Sequence, residues 1–134
     1  MKKALLFGAL ALAGVLTLPA TSTLAKKATG PVAALDTDDD GTVDLKEINK
    51  SATDLFTRLE KDSDGTVDIK ELKGRVSKKD FKTADPDNDG TLSKDEFLTM
   101  VAALFKDADP DNDGTLDAKE LASKKGKALL RVTR

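Results

Sequence analysis

Four short segments of this chain gather the residue types that hold a hard cation. They read DTDDDGTVDLKE (36–47), EKDSDGTVDIKE (60–71), DPDNDGTLSKDE (85–96) and DPDNDGTLDAKE (109–120), and they contain 21 of the 24 acidic residues. Their shared glycines, Gly41, Gly65, Gly90 and Gly114, recur at intervals of 24, 25 and 24 residues, so the chain is an internal repeat. Three segments match the twelve-residue calcium-loop pattern in full, and the second departs from it only at its first residue.

The pattern follows coordination geometry. An oxygen cage takes side chains from loop positions 1, 3 and 5, a backbone carbonyl from 7, a group at 9 (often through water) and a bidentate Glu at 12. The first loop offers Asp36, Asp38, Asp40, Thr42 through its carbonyl, Asp44 and Glu47. The second offers Glu60, Asp62, Asp64, Thr66 through its carbonyl, Asp68 and Glu71; the third, Asp85, Asp87, Asp89, Thr91 through its carbonyl, Ser93 and Glu96. The fourth offers Asp109, Asp111, Asp113, Thr115 through its carbonyl, Asp117 and Glu120. Position 6 must turn with positive φ, which glycine does without steric cost. Glu60 is one methylene longer than Asp, so its carboxylate overshoots a tight first position and the second site is expected to be the weakest.

Each cage needs elements to hold it, and the gaps between loops are only 12, 13 and 12 residues long. In 48–59 the apolar residues Ile48, Ala52, Leu55, Phe56 and Leu59 repeat at helical spacing, as do Phe97, Met100, Val101, Leu104, Phe105 and Ala108 in 97–108. The middle gap is broken by Gly74, and Ser77 to Asp80 resembles an N-cap opening a new short helix. Phe56, Phe81 and Phe105 each lie four residues before a loop, with Val32 in the same place before the first, and all four are expected in the core. Twelve helical residues span about 18 Å, enough for one helix but not for two and a turn. Consecutive loops must then sit at opposite ends of a shared helix. With 48–59 and 97–108 antiparallel, the expected fold is all-α: a compact three-helix bundle in which loop 1 pairs with loop 4 and loop 2 with loop 3. Val43, Val67, Leu92 and Leu116 at position 8 are the β-formers through which loops could pair.

The rest of the composition narrows the chemistry. Residues 1–25 read as a secretory signal peptide: Lys2 and Lys3, an apolar run over 4–18, and a small-residue cleavage site at Thr23, Leu24 and Ala25. The remaining 26–134 form one metal-binding domain with 20 basic and 24 acidic side chains, a net charge of −4. About a third of those residues are apolar, a thin core of the kind that needs help from a ligand. No Cys or His is present, which excludes disulfides, thiolate or imidazole catalysis and a His/Cys zinc site. A net negative charge without a basic stripe argues against nucleic acid. The apolar run of 15 is short for a membrane span, so it reads as a leader that is removed rather than an anchor, and no stable membrane insertion of the mature chain is expected. The basic tail from Lys124 to Arg134 reads as a solvated cap that packs Leu129 and Leu130.

Beyond the calcium-loop pattern of the EF-hand superfamily, the chain from about Val32 onward resembles the lanmodulin family of exported lanthanide-binding proteins. The resemblance rests on the short gaps, the DPDNDGTL runs at 85–92 and 109–116, the segment from Glu71 to Ser77, and Glu120 to Ser123. It implies four EF-hand loops, selective binding of lanthanide(III) ions over Ca²⁺, folding on metal binding and a periplasmic role in lanthanide handling. Thr37 and Lys61 stand where the family's loops carry Pro, Glu60 replaces the usual Asp, and Ser93 replaces an Asp at position 9. Asp109 stands where the best-known member has Asn, which implies a stronger fourth site here.

The residues alone favour tight binding of hard cations and leave open whether the ion is trivalent or Ca²⁺; Mg²⁺, which resists full dehydration, fits less well. The leading expectation is a periplasmic protein that takes up, stores or delivers lanthanide and binds Ca²⁺ more weakly. The alternative is an exported Ca²⁺ buffer or sensor without lanthanide selectivity. Enzymatic activity is not expected, because the carboxylate clusters are all taken by the loops. The protein client is not named by the sequence.

Overall fold

A computed structural model describes residues 29–134; the signal peptide expected over 1–25 lies outside them. Two fifteen-residue helices, α2 (Leu45–Leu59) and α4 (Lys94–Ala108), form the middle of the molecule. Each is about 22 Å long and buries one stripe: Ile48, Ala52, Leu55, Phe56 and Leu59 on α2, and Phe97, Met100, Val101, Phe105 and Ala108 on α4. The stripes meet, and the rings of Phe56 and Phe97 lie 5.5 Å apart at a tilt of 54°. Such a pair contributes about 1 kcal/mol beyond its buried area. It joins the C-terminal end of α2 to the N-terminal end of α4, so the two helices run antiparallel.

Four shorter helices surround them: α1 (Pro31–Leu35), α3 (Lys78–Ala84), α5 (Ala118–Ala122) and α6 (Lys124–Leu130). Two antiparallel two-stranded sheets join the acidic segments. Strand β1 (Val43–Asp44) pairs with β4 (Thr115–Leu116), setting Val43 opposite Leu116. Strand β2 (Thr66–Asp68) pairs with β3 (Thr91–Ser93), setting Val67 opposite Leu92. Those four apolar residues are fully buried. The ladders therefore tie 36–47 to 109–120 at one end of α2 and α4, and 60–71 to 85–96 at the other.

The expected three-helix, all-α bundle needs correction. The described residues are mostly helical with six helices, and the two sheets are part of their framework. The helix count rises because two exits from the loops cannot run on. After 60–71, the chain turns through Lys73 and Gly74 at φ 48° and 74°, and a helix restarts only where Ser77 caps α3 through the N–H of Asp80. After 109–120, α5 stops at five residues, and Ser123, in extended geometry, becomes the N-cap of α6.

That last turn folds the C-terminal segment onto the core. Leu129, Leu130, Val132 and Thr133 are buried, while Lys124, Lys125, Lys127, Arg131 and Arg134 stay in solvent. Ser51 donates to the carbonyl of Thr133 at 2.9 Å, and Arg75 Nη1 donates to the carbonyls of Arg131 and Arg134 at 3.0 and 2.5 Å. The tail is thus part of the hydrophobic core rather than only a cap. Among the described residues, no helix is long and apolar enough to cross a membrane.

Candidate metal centres

Each acidic segment is held in a ring by bonds from its own backbone to its first carboxylate. Gly41, Gly90 and Gly114 N–H donate to Oδ2 of Asp36, Asp85 and Asp109 at 2.9, 3.1 and 3.0 Å. Gly65 N–H reaches Glu60 Oε1 at 2.8 Å, so the longer side chain still closes its ring. It does so from a partly exposed position, whereas Asp36, Asp85 and Asp109 are buried. Positive φ at position 4 completes the turn, at 59° in Asp39 and 56° in both Asn88 and Asn112. Asn and Asp carry that conformation at less cost than other side chains.

The threonines at position 7 do more than their expected carbonyl role. In every segment the Thr N–H and Oγ1 both donate to Oδ1 of the fifth-position Asp, pairing Thr42 with Asp40, Thr66 with Asp64, Thr91 with Asp89 and Thr115 with Asp113 at 2.7–2.8 Å. The bonds favour the ionised form. Asp40 is held below the ordinary Asp value, first by the Thr42 hydroxyl and then by its N–H, and Asp64 likewise by the Thr66 N–H and then its hydroxyl. The signal was present in the sequence as a Thr after each loop glycine.

Position 9 also has a second task. Asp44, Ser93 and Asp117 are the N-caps of α2, α4 and α5, each in a reciprocal capping box with the position-12 glutamate. Asp68 and Glu71 make the same reciprocal bonds at 2.7 and 3.1 Å, although turns follow them. One oxygen of each of these side chains therefore serves the backbone.

The structure brings carboxylate oxygens together in four clusters, each within 4.8 Å: Asp36, Asp38 and Asp40; Glu60, Asp62 and Asp64; Asp85, Asp87 and Glu96; and Asp109, Asp111 and Glu120. The glutamates divide. Glu96 and Glu120 join their clusters, whereas Glu47 and Glu71 stand outside theirs. In the fourth cluster Asp109 Oδ1 is buried without a hydrogen-bond partner. A buried carboxylate oxygen left unpaired is costly, and a cation among Asp109, Asp111 and Glu120 would satisfy it. The donor set fits a hard cation. A cavity of about 430 Å³ lined by Pro110, Asp111, Asp117 and Glu120 opens to this cluster.

Crowding raises the proton affinity of several of these groups. Asp38 is pushed up chiefly by desolvation, with the charges of Asp40 and Glu47 adding to it. For Asp87 and Asp111 the largest single influence, the N–H of Asp89 or Asp113, lowers the value. The adjacent carboxyl of Asp85 or Asp109, desolvation and neighbouring charges together outweigh it. Glu120 is raised in the same way, against the N–H of Asp117, by desolvation and by Asp111, Asp117 and Asp109. Protons held more tightly must be displaced by an incoming cation, so affinity falls as pH drops into the carboxylate range. Site 4, with two raised groups, should begin to weaken at higher pH than site 2, where Asp64 is lowered. Titrations at stepwise lower pH, followed at the Gly114 and Gly65 amides by NMR, should show that order; a common onset would refute it.

Comparison with known families agrees with this geometry. An EF hand domain model matches residues 77–104, and a second EF hand model matches 33–50 and 100–123. The chain carries EF hands. The matched stretches contain 36–47, 85–96 and 109–120 entire, with α3, α5 and parts of α1, α2 and α4 beside them. No curated protein matches the chain. Loops, capping helices and carboxylate clusters together support EF-hand binding of Ca²⁺ or a similar metal ion.

Proposed function

We propose that the protein is an exported, periplasmic EF-hand protein that binds lanthanide(III) ions, holds Ca²⁺ more weakly and folds as it binds. It would serve lanthanide uptake, storage or delivery and carry no catalytic role. The observation that carries the reading is the fourth cluster, where Asp109, Asp111 and Glu120 converge around an unpaired buried oxygen beside Pro110. Such a site concentrates negative charge on oxygen donors, which suits the hardest cations. The step from hard cation to lanthanide rests on the resemblance of 85–92 and 109–116, and of the 12–13-residue gaps, to the lanmodulin family.

The EF hand matches favour a second reading, an exported Ca²⁺ buffer or sensor. A sensor that grips target helices needs a Met-rich groove. Here Met100 is the one methionine of 26–134, and it is buried. A buffer is therefore the stronger form of that alternative. Competitive titration separates the two readings. La³⁺ should half-saturate the protein at a free concentration more than about tenfold below Ca²⁺, a gap of about 1.4 kcal/mol. A smaller gap would remove the lanthanide reading and leave the buffer.

A further inference from the structure

The division among the four position-12 glutamates has a local cause. In the first loop, Thr37 N–H donates to Glu47 Oε1 at 2.5 Å and Thr37 Oγ1 donates to the same oxygen at 3.0 Å. In the second, Lys61 N–H donates to Glu71 Oε1 at 3.3 Å. Asp44 and Asp68 N–H occupy the other oxygens, Oε2, at 3.1 Å each. Both carboxylate oxygens of Glu47 and of Glu71 are therefore engaged by protein donors, and both glutamates stand outside the clusters. In the third and fourth loops, position 2 is Pro86 or Pro110, which has no N–H to offer. There the backbone takes only Oε2, from Ser93 or Asp117 N–H at 2.8 and 2.9 Å. Glu96 and Glu120 lie in the clusters.

Taking the loops as metal sites, we propose that the position-2 residue is a latch on the position-12 glutamate, closed by Thr37 and Lys61 and absent at Pro86 and Pro110. Once the first ions have folded the chain, a cation entering loop 1 or 2 must strip Glu47 or Glu71 from that donor, whereas loops 3 and 4 present their glutamate without this cost. The Thr37 latch, with two donors on a buried glutamate, is stronger than the single long bond from Lys61. Because β1 pairs with β4 and β2 with β3, each end of the molecule couples one latched loop to one open loop. The four sites are thus two unlike pairs, and filling should occur in two steps, with loops 3 and 4 ahead of loops 1 and 2.

The test follows the Gly41, Gly65, Gly90 and Gly114 amides by NMR while La³⁺, and separately Ca²⁺, is added to the purified protein. Gly90 and Gly114 should reach their bound positions before Gly41 and Gly65. Thr37→Pro should lower the Gly41 midpoint about tenfold, the worth of a hydrogen bond to a charged group. Thr37→Ala, which keeps the N–H and loses the hydroxyl, should give a smaller shift in the same direction, which proline stiffness cannot produce. Pro110→Thr should raise the Gly114 midpoint. The latch is overturned if the Gly41 midpoint stays within about twofold of wild type in both Thr37 variants, or if Pro110→Thr leaves Gly114 unchanged. Should Thr37→Pro fail to fold, the other two variants decide. If none of the four amides responds to either ion, metal binding itself is refuted, a result distinct from four responding amides whose order ignores position 2.

Discussion

Gly126→Ala should unfold the C-terminal third of the protein more readily and weaken the fourth site with it. A Cβ built on Gly126 would lie 2.2 Å from the carbonyl oxygen of Glu120 and 2.5 Å from the Cα of Leu121. These are backbone atoms, so no side chain can swing aside; α6 must move off α5 or the Glu120 backbone must shift. Overpacking of this kind costs about 3 kcal/mol. The alanine would regain about 1 kcal/mol of helix propensity within α6, so the clash prevails. Against a total stability of about 5–15 kcal/mol the net loss is large. Glu120 is both the N3 partner in the capping box of α5 and a member of the fourth cluster, so its displacement should reach the site. Denaturant unfolding with saturating cation measures the loss, and the Gly114 amide midpoint measures the effect on the site. Lys127→Ala, one residue away on the exposed face, should stay within about 0.5 kcal/mol of wild type. A Gly126→Ala protein as stable as wild type would mean that α6 does not approach α5 so closely.

Removing the cation should have a comparably large effect on the whole chain. Each end of α2 and α4 carries two loops dense in acid: 36–47 and 109–120 hold eleven acidic residues against Lys46 and Lys119 alone. Carboxylates within 4.8 Å repel one another unless protons or a cation intervene. The core beneath is drawn from residues 26–134, of which only about one third are apolar, so the fold has little in reserve against that repulsion. Binding energy then becomes folding energy, about 4 kcal/mol for each site held at a thousandfold excess over its dissociation constant. Far-UV circular dichroism at neutral pH should show most helical signal lost with chelator and restored on adding cation. Asp38, Asp87, Asp111 and Glu120 give this loss a pH sign. A carboxyl whose folded value is raised stabilises the metal-free fold while protonated, and that contribution disappears as pH rises through the folded value. Mild acid should therefore restore part of the helix in the chelated protein. A chelated chain that stays fully helical and unfolds cooperatively at neutral pH would exclude folding on binding.

Much of the framework is written in short-range pattern. The apolar spacing in 48–59 and 97–108 marks the two long helices, and Gly74 and Ser77 mark the break and restart in the middle gap. The helices begin three residues earlier than the apolar stripe suggests, at Leu45 and Lys94. Position 9 acts as an N-cap, so position 12 already lies in the first turn. The β-branched or leucine residue at position 8 is legible too, since a single buried apolar side chain there suits a strand contact.

What the sequence determined by itself was therefore the repeat, the oxygen donors, the turn residues and the helix stripes, all of which depend on neighbours within about a dozen positions. Tertiary structure decided the remainder. The tail becomes core because Ser51 meets Thr133 across 82 residues and Arg75 meets Arg134 across 59. Gly126 has meaning only because Ser123 reverses the chain and lays α6 against the backbone of Glu120. Where each glutamate points is likewise decided in three dimensions: four identical Glu residues at position 12 find either a free N–H at position 2 or a proline ring. A linear motif names which atoms can donate to a cation, but competition for those atoms is a matter of distance and direction.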